Sequence, residues 1–193
     1  AGSRVFVHED IYDKFVADAV ERFNRVNVGL PWKPETQMGS QIYESHLKAI
    51  QLCIEQAKAE GATVLCGGKR TLEETGGVYV EPTIFDDAHN KMRIAQEEIF
   101  GPVLAIIEVA DFNDALATAN DTEYGLSASI VTNNPRYMHV FTNEIQSGTV
   151  KINRTTTGNL VNAPFGGLKN SSTSTFRESG RAGLEFFTQL KTV

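Results

Sequence analysis

Side chains that can do chemistry concentrate in three short segments of this 193-residue sequence. Gln96–Pro102 places two carboxylates and an aromatic ring directly before the longest apolar run, Val103–Val109. The second segment, Gly148–Asn153, leads from a predicted strand into a loop rich in Thr, Ser, Asn and Gly. The third segment, Ala163–Lys169, lies at the end of that loop. Each segment alone is also compatible with an ordinary turn, whereas their order and separations together are specific.

Other candidate chemistry in the sequence is weaker. Cys66–Arg70 is faintly similar to a phosphate-binding P-loop, but the upstream glycine and the Ser or Thr after the lysine are missing, and no GxGxxG motif is present. Cys53 lies on the apolar face of a predicted helix and Cys66 ends a predicted strand, so core roles are favoured over nucleophilic ones. Four histidines are scattered without metal-ligand spacing and are interpreted as surface or structural residues: His8, His46, His89 and His139.

Composition limits the classes of protein that fit. Hydrophobic residues make up 41% of the sequence and charged residues 22%, which excludes a disordered, collagen-like or disulfide-stapled chain. The net charge of −6 and the absence of a basic patch argue against a nucleic-acid partner. No apolar run approaches the roughly 20 residues that cross a bilayer, and residues 1–7 look like a strand rather than a signal peptide. Two cysteines without metal-ligand spacing favour a reduced, cytoplasmic setting without a metal site.

Hydrophobic periodicity predicts two helices in the first third of the chain. The first begins near Asp10, which can cap it, and presents an apolar face formed by Ile11, Phe15, Ala19 and Phe23. The second runs from Ser45 to Gly61, and its inward residues are Leu47, Ile50, Ile54 and Ala57. Gly77–Ile84 is predicted as an edge strand, because Pro82 cannot donate a hydrogen bond to a sheet.

The second half of the chain alternates predicted strands and helices. Apolar strands at Val103–Val109, Leu126–Thr132 and Thr149–Asn153 are separated by helices that begin near Asp111 and Asn134. This order predicts right-handed βαβ crossovers and an α/β fold with a mainly parallel sheet and helices on both faces. Residues 154–174 then form a loop of about twenty residues, and loops of that length in compact domains are usually functional.

The sequence resembles the aldehyde dehydrogenase superfamily from its first residue to its last. The resemblance rests on seven matches in the family's order, which are Ser3–Val7, Met38–Gln41, Gln96–Pro102, Tyr124–Leu126, Gly148–Asn153, Pro164–Gly167 and Lys191–Val193. The tail, Asn170–Glu178 with Glu185–Thr188, is most similar to the branch that includes ketoglutarate semialdehyde dehydrogenases.

The resemblance implies oxidation of an aldehyde to an acid with NAD or NADP. In the family a cysteine thiolate attacks the carbonyl, hydride passes to the nicotinamide, and a Glu-activated water hydrolyses the thioester. The family's nucleophile comes just before the segment that matches Ala1–Ser3, and its base and cofactor domain lie further upstream. Neither Cys53 nor Cys66 matches the nucleophile's position, so no catalytic residue is predicted within this chain, and the isolated chain is expected to be inactive.

The resemblance also assigns binding residues. Glu98 would bind the hydroxyls of the nicotinamide ribose, Phe100 would pack near the nicotinamide ring, and Gln41 would point toward a cofactor ribose. The loop from Arg154 to Ala163 would line the substrate tunnel, with Phe165 in its aromatic wall. If the substrate carries a carboxylate, the partners of that carboxylate would be Arg154, Thr155, Thr156 and Thr157.

The domain expected from the resemblance is a catalytic-domain portion over residues 1–174, followed by a tail at residues 175–193. The tail would pack on the cofactor domain or on a partner subunit of a homo-oligomer. Small-molecule aldehydes are the expected partners, without nucleic acid or membrane. The alternative interpretation is a non-catalytic structural or binding relative with the same fold.

Overall fold

A computed structural model describes residues 2–172 and 176–193, which divide into two compact units. One unit is Ser3–Asp111, and the other combines Gly2 with Phe112–Val193. The predicted boundary between residues 174 and 175 lies outside the described residues. None of the helices in the described ranges is long and apolar enough to cross a bilayer.

The unit Ser3–Asp111 is built around a four-stranded sheet. Its elements in chain order are β1 (Arg4–His8), α1 (Tyr12–Asn24), α2 (Glu44–Ala59), β2 (Thr63–Cys66), β3 (Arg70–Thr71), β4 (Tyr79–Val80), β5 (Thr83–Asp86), α3 (Arg93–Gln96) and β6 (Val103–Val109). The sheet order is β1-β6-β5-β2, with β6 parallel to both β1 and β5 and with β2 antiparallel at the edge. The short strands β3 and β4 pair with each other in a separate antiparallel ribbon.

Helices cover both faces of this sheet, as the fold prediction requires. Ala105 and Ile107 of β6 belong to a buried cluster with α2, whereas Ile106, between them, belongs to a second cluster with α1. Because successive strand residues point to opposite faces, these two clusters lie on the two sides of the sheet. The inward residues predicted for α2 are all buried, namely Leu47, Ile50, Ile54 and Ala57.

Two predictions for α1 are wrong in detail. Asp10 does not cap α1, which begins at Tyr12 after a short 3-10 turn; instead, the Asp10 amide donates to His8 Nδ1 at 3.2 Å. Ile11 and Phe15 of the predicted apolar face are exposed, whereas Ala19 and Phe23 pack on the sheet together with Val16.

The predicted edge strand at Gly77–Ile84 is also wrong. Pro82 interrupts it, so that β4 ends at Val80 and β5 begins at Thr83 in the interior of the sheet. Because the proline lies between two strands, the hydrogen bond that it cannot donate is not needed in either ladder.

The unit Phe112–Val193 contains α4 (Phe112–Asn120), β7 (Tyr124–Gly125), β8 (Ser127–Ile130), α5 (Pro135–Glu144), β9 (Thr149–Ile152), β10 (Leu168–Lys169) and α6 (Gly180–Phe186). β8 and β9 are parallel and are joined through α5, which gives the predicted βαβ crossover. Asn134 starts α5, because its side chain accepts the Arg136 amide at 2.9 Å and Pro135 occupies the first turn. β7 pairs with β10, and residues 154–167 carry no helix or strand.

Candidate functional site

One cavity of the unit Ser3–Asp111 brings together two of the predicted cofactor residues. This cavity, of about 440 Å³, is lined by Gln41 and Phe100 together with Ser40, Ile42, Tyr43, His46 and Ile99. We call it the Gln41–Phe100 cavity. Glu98 does not line the cavity, but it immediately precedes the two residues, Ile99 and Phe100, that form one wall.

Backbone contacts position both walls of the Gln41–Phe100 cavity. The Gln41 amide donates to the carbonyl of Val78 at 2.8 Å, just before the chain enters α2. Gly101 lies so close to α2 that an added Cβ would meet Ile50 Cδ1 at 2.8 Å. Phe100 has a φ of 55°, in the left-handed region that a bulky residue rarely adopts. Strained backbone of this kind concentrates at ligand sites.

Several side chains at or beside the cavity are available for a ligand. The large apolar side chain of Phe100 is 74% exposed. Within the residues that the structure describes, neither the Gln41 carboxamide nor the exposed Glu98 carboxylate makes a hydrogen bond or an ion pair. The neighbouring Glu97 differs, because it binds the Arg93 guanidinium at 2.6 Å.

His46 lines the same cavity and was not singled out from the sequence. Both of its ring nitrogens are enclosed, and across the described ranges neither has a hydrogen-bond partner. The ring of Tyr43 lies 6.0 Å away, tilted by 53°. A buried polar group without a partner costs free energy, so enclosing the ring of His46 destabilises the folded protein.

The predicted substrate residues Arg154, Thr155 and Thr157 lie together on an exposed loop, while Thr156 is half-buried. Asn153 turns the chain out of β9 with a φ of 53°, and its side chain bonds both the amide and the carbonyl of Thr132 at 2.9 and 3.0 Å. The hydroxyls of Thr155 and Thr157 are 3.2 Å apart.

Thr156 faces the start of the chain. A Cβ built on Gly2 would lie 3.2 Å from Thr156 Oγ1, so the loop that begins at Arg154 packs beside the first described residue. This contact joins two segments that are separated by more than 150 positions in sequence.

Phe165 lines a cavity whose described lining contains none of Arg154, Thr155, Thr156 or Thr157. Phe165 pairs with Glu178 through two backbone hydrogen bonds of 2.6 and 2.7 Å. It lines a cavity of about 270 Å³ whose other residues include Leu126, Phe176 and Arg177. The Arg177 guanidinium donates to the carbonyl of Gly167 at 2.6 Å, which fixes the backbone beside Phe165.

The two cysteines have the environment of structural residues. Both are free and half-buried, and burial raises the pKa of the Cys53 and Cys66 thiols above their usual value. A thiol with a raised pKa holds less thiolate at neutral pH and is a poor nucleophile. In the described part of the chain, no three His, Cys, Asp or Glu side chains cluster in a way that could hold a metal ion.

Comparison with known proteins places these features in one family. The sequence profile of the aldehyde dehydrogenase family matches residues 1–193. The alpha-ketoglutarate semialdehyde dehydrogenase of Haloferax volcanii is 51% identical, and the alignment covers all of this chain and 40% of that protein. The chain therefore spans about 40% of the length of the curated relatives that it matches.

Solved structures agree with the sequence comparison. The aldehyde dehydrogenase KauB from Pseudomonas aeruginosa is 42% identical with a TM-score of 0.94, and the match covers 99% of this chain and 38% of KauB. An aldehyde dehydrogenase from Mycobacterium tuberculosis, solved as a complex with NAD+, is 40% identical with a TM-score of 0.91 over 97% of this chain and 38% of that one. A profile match over the whole length, joined by this structural likeness, shows that the chain belongs to the aldehyde dehydrogenase family.

Proposed function

We propose that this chain forms part of an NAD(P)-dependent aldehyde dehydrogenase that oxidises an aldehyde to a carboxylic acid. Water supplies the added oxygen, and the bound nicotinamide cofactor accepts the hydride. The observation that carries the proposal is the Gln41–Phe100 cavity, in which segments far apart in sequence place a free carboxamide and an exposed aromatic ring around one space.

Gln41 and Phe100, which line this cavity, and Glu98, which precedes its wall in sequence, fit a nicotinamide cofactor. Glu98 has a free carboxylate that can accept two ribose hydroxyl protons and so orient the cofactor. Phe100 offers an exposed ring against which a nicotinamide can pack, and the carboxamide of Gln41 can bind a ribose hydroxyl. Most of the cofactor contacts would come from a domain outside residues 1–193.

The loop from Arg154 to Ala163 is proposed to line the substrate tunnel. The contact between Gly2 and Thr156 supports this role, because the family's nucleophilic cysteine comes just before the segment that matches the start of this chain. Arg154, with the hydroxyls of Thr155, Thr156 and Thr157, would bind a carboxylate on the substrate. A carboxylated semialdehyde is therefore the proposed substrate class, and Phe165 would contribute to an aromatic wall further along the tunnel.

The C-terminal tail is proposed to pack against a domain or subunit outside this sequence. Several of its apolar side chains are almost fully exposed, namely Phe187, Leu190 and Val193. Such a surface is typical of an interface, so a homo-oligomer is expected, and the cysteine usage favours the cytoplasm.

The direct test assays the full-length protein that contains this chain. It is incubated with a carboxylated semialdehyde and with NAD or NADP, and both the reduced cofactor and the acid product are measured. One acid formed per reduced cofactor supports the proposal. If no aldehyde yields reduced cofactor although the protein is folded, the non-catalytic alternative is the better description.

A further inference from the structure

The two faces of the parallel pair β8–β9 differ sharply in chemistry. Ala128, Ile130 and Val150 pack on a buried cluster contributed by α4 and α5. On the opposite face, the register pairs Ser129 with Lys151, and Ser127 lies two residues before Ser129 on the same side. We call Ser127, Ser129 and Lys151 the polar face.

The polar face binds the backbone of the loop that follows β9. The Lys151 ammonium donates to three successive carbonyls, those of Thr156 at 3.1 Å, Thr157 at 2.6 Å and Gly158 at 3.3 Å. Ser127 Oγ donates to the carbonyl of Thr156 at 3.1 Å, and Ser129 Oγ donates to the carbonyl of Arg154. An ammonium has three protons to donate, so these three carbonyls fill the hydrogen-bonding capacity of Lys151.

These bonds hold the loop by its main chain and leave three of its side chains exposed to solvent. Arg154, Thr155 and Thr157 remain exposed, although the carbonyls of Arg154, Thr156, Thr157 and Gly158 are all fixed. Ordering a loop costs backbone conformational entropy, and a ligand that binds an already ordered loop avoids that cost. The polar face therefore separates the task of holding the loop from the task of contacting a ligand.

We propose that Lys151 is a positioning residue for substrate selectivity, acting through the backbone of residues 154–158 rather than through contact with the substrate. The inference rests on the proposed function of that loop. Because its three protons already bind carbonyls, Lys151 does not itself serve as the partner of a substrate carboxylate. Its role is to hold Arg154 and the threonine hydroxyls where they bind that carboxylate.

The test is Lys151→Met in the full-length protein, because methionine keeps most of the apolar stem and removes all three donors. The rate of tryptic cleavage after the exposed Arg154 is measured on the folded protein, because a protease needs a mobile backbone at the bond that it cuts. In parallel, kcat/KM is measured for a carboxylated semialdehyde and for an uncharged aldehyde of equal length. We expect cleavage after Arg154 to be at least about tenfold faster in the variant, and the preference for the carboxylated substrate to fall by a similar factor.

Lys169→Met is the matched control. Lys169 also donates to two backbone carbonyls, those of Asn120 at 2.6 Å and Thr122 at 2.9 Å, and in the described part of the chain it makes no hydrogen bond to residues 154–158. This variant should destabilise its own site and leave the substrate preference unchanged. Ser129→Ala provides a milder loss at the polar face, so the proposal stays testable if Lys151→Met does not fold.

The outcomes separate the inference from the proposed function. Unchanged cleavage after Arg154 in both polar-face variants would overturn the positioning role. Faster cleavage with an unaltered substrate preference would overturn the link to selectivity. A selective loss of the carboxylated substrate without faster cleavage would show that Lys151 binds the carboxylate directly, which also overturns the inference. If the unmodified protein oxidises no aldehyde, the proposed function fails instead, whatever the cleavage rates show.

Discussion

Tyr12, the first residue of α1, donates its phenolic hydrogen to Asp86 Oδ1 at the end of β5. The same carboxylate oxygen accepts the Asp87 amide at 2.8 Å. Burial, followed by the hydrogen bond to Asp86, raises the pKa of Tyr12 well above its usual value. This hydrogen bond therefore links the start of α1 to β5, an interior strand of the sheet.

Tyr12→Phe should lower the free energy of unfolding by about 1–2 kcal/mol at neutral pH, because a half-exposed hydrogen bond to a carboxylate is lost. The raised pKa means that the folded state favours the protonated phenol. The hydrogen bond therefore makes its full contribution to the free energy of unfolding below pH about 10, the pKa of tyrosine in the unfolded chain, and this contribution is lost as the pH rises above that value.

Urea unfolding of the wild type, of Tyr12→Phe and of the control Tyr137→Phe is measured from neutral to alkaline pH. If the free energy of unfolding changes with the same slope at alkaline pH in the wild type and in Tyr12→Phe, the prediction is wrong.

Glu98→Gln in the full-length protein should slow single-turnover hydride transfer more than it weakens cofactor binding. Loss of the ribose clamp leaves the cofactor bound but poorly aimed, and a misplacement of about 1 Å can cost about 100-fold in rate. Glu97→Gln is the matched control, since Glu97 is paired with Arg93 instead. Unchanged hydride transfer in Glu98→Gln would remove Glu98 from the proposed cofactor site.

His46→Leu should stabilise the cofactor-free protein by about 1 kcal/mol, because the variant no longer buries two polar nitrogens without partners. If the same nitrogens bind a hydroxylated cofactor, the variant should also gain less thermal stability than the wild type when NAD is added. Thermal unfolding with and without NAD tests both effects. If the variant is instead less stable than the wild type without NAD, the ring nitrogens of His46 already have hydrogen-bond partners.

Several site features were predictable because their signals are local. The run Gln96–Pro102 and the strand before Arg154 identify themselves by residue type and spacing, and α2 by the period of its apolar positions. His46 was missed because a lone histidine carries no signal until its neighbours enclose both nitrogens. The role of Lys151 was invisible for a similar reason, since its partners are carbonyls of an irregular loop whose course follows no periodicity.

The purified 193-residue chain should oxidise no aldehyde with either NAD or NADP. Its two cysteines are half-buried thiols with raised pKa values, so neither supplies the thiolate that the reaction needs. The measurement is reduced-cofactor formation with several aldehydes at high protein concentration. Turnover that disappears in Cys53→Ser or Cys66→Ser would show that one of these thiols is a nucleophile after all.

Arg154→Ala in the full-length protein should reduce kcat/KM selectively for a carboxylated semialdehyde. The guanidinium is a planar donor suited to a carboxylate, and a hydrogen bond to a charged group contributes about 1.5–3 kcal/mol. The expected loss is therefore about 10- to 150-fold, while an uncharged aldehyde of equal length should be affected little. Arg136→Ala, which removes another exposed arginine of the same unit, controls for the change in net charge. Equal losses on both substrates would mean that Arg154 only holds the loop, and no loss on either would remove the main chemical support for a carboxylated substrate.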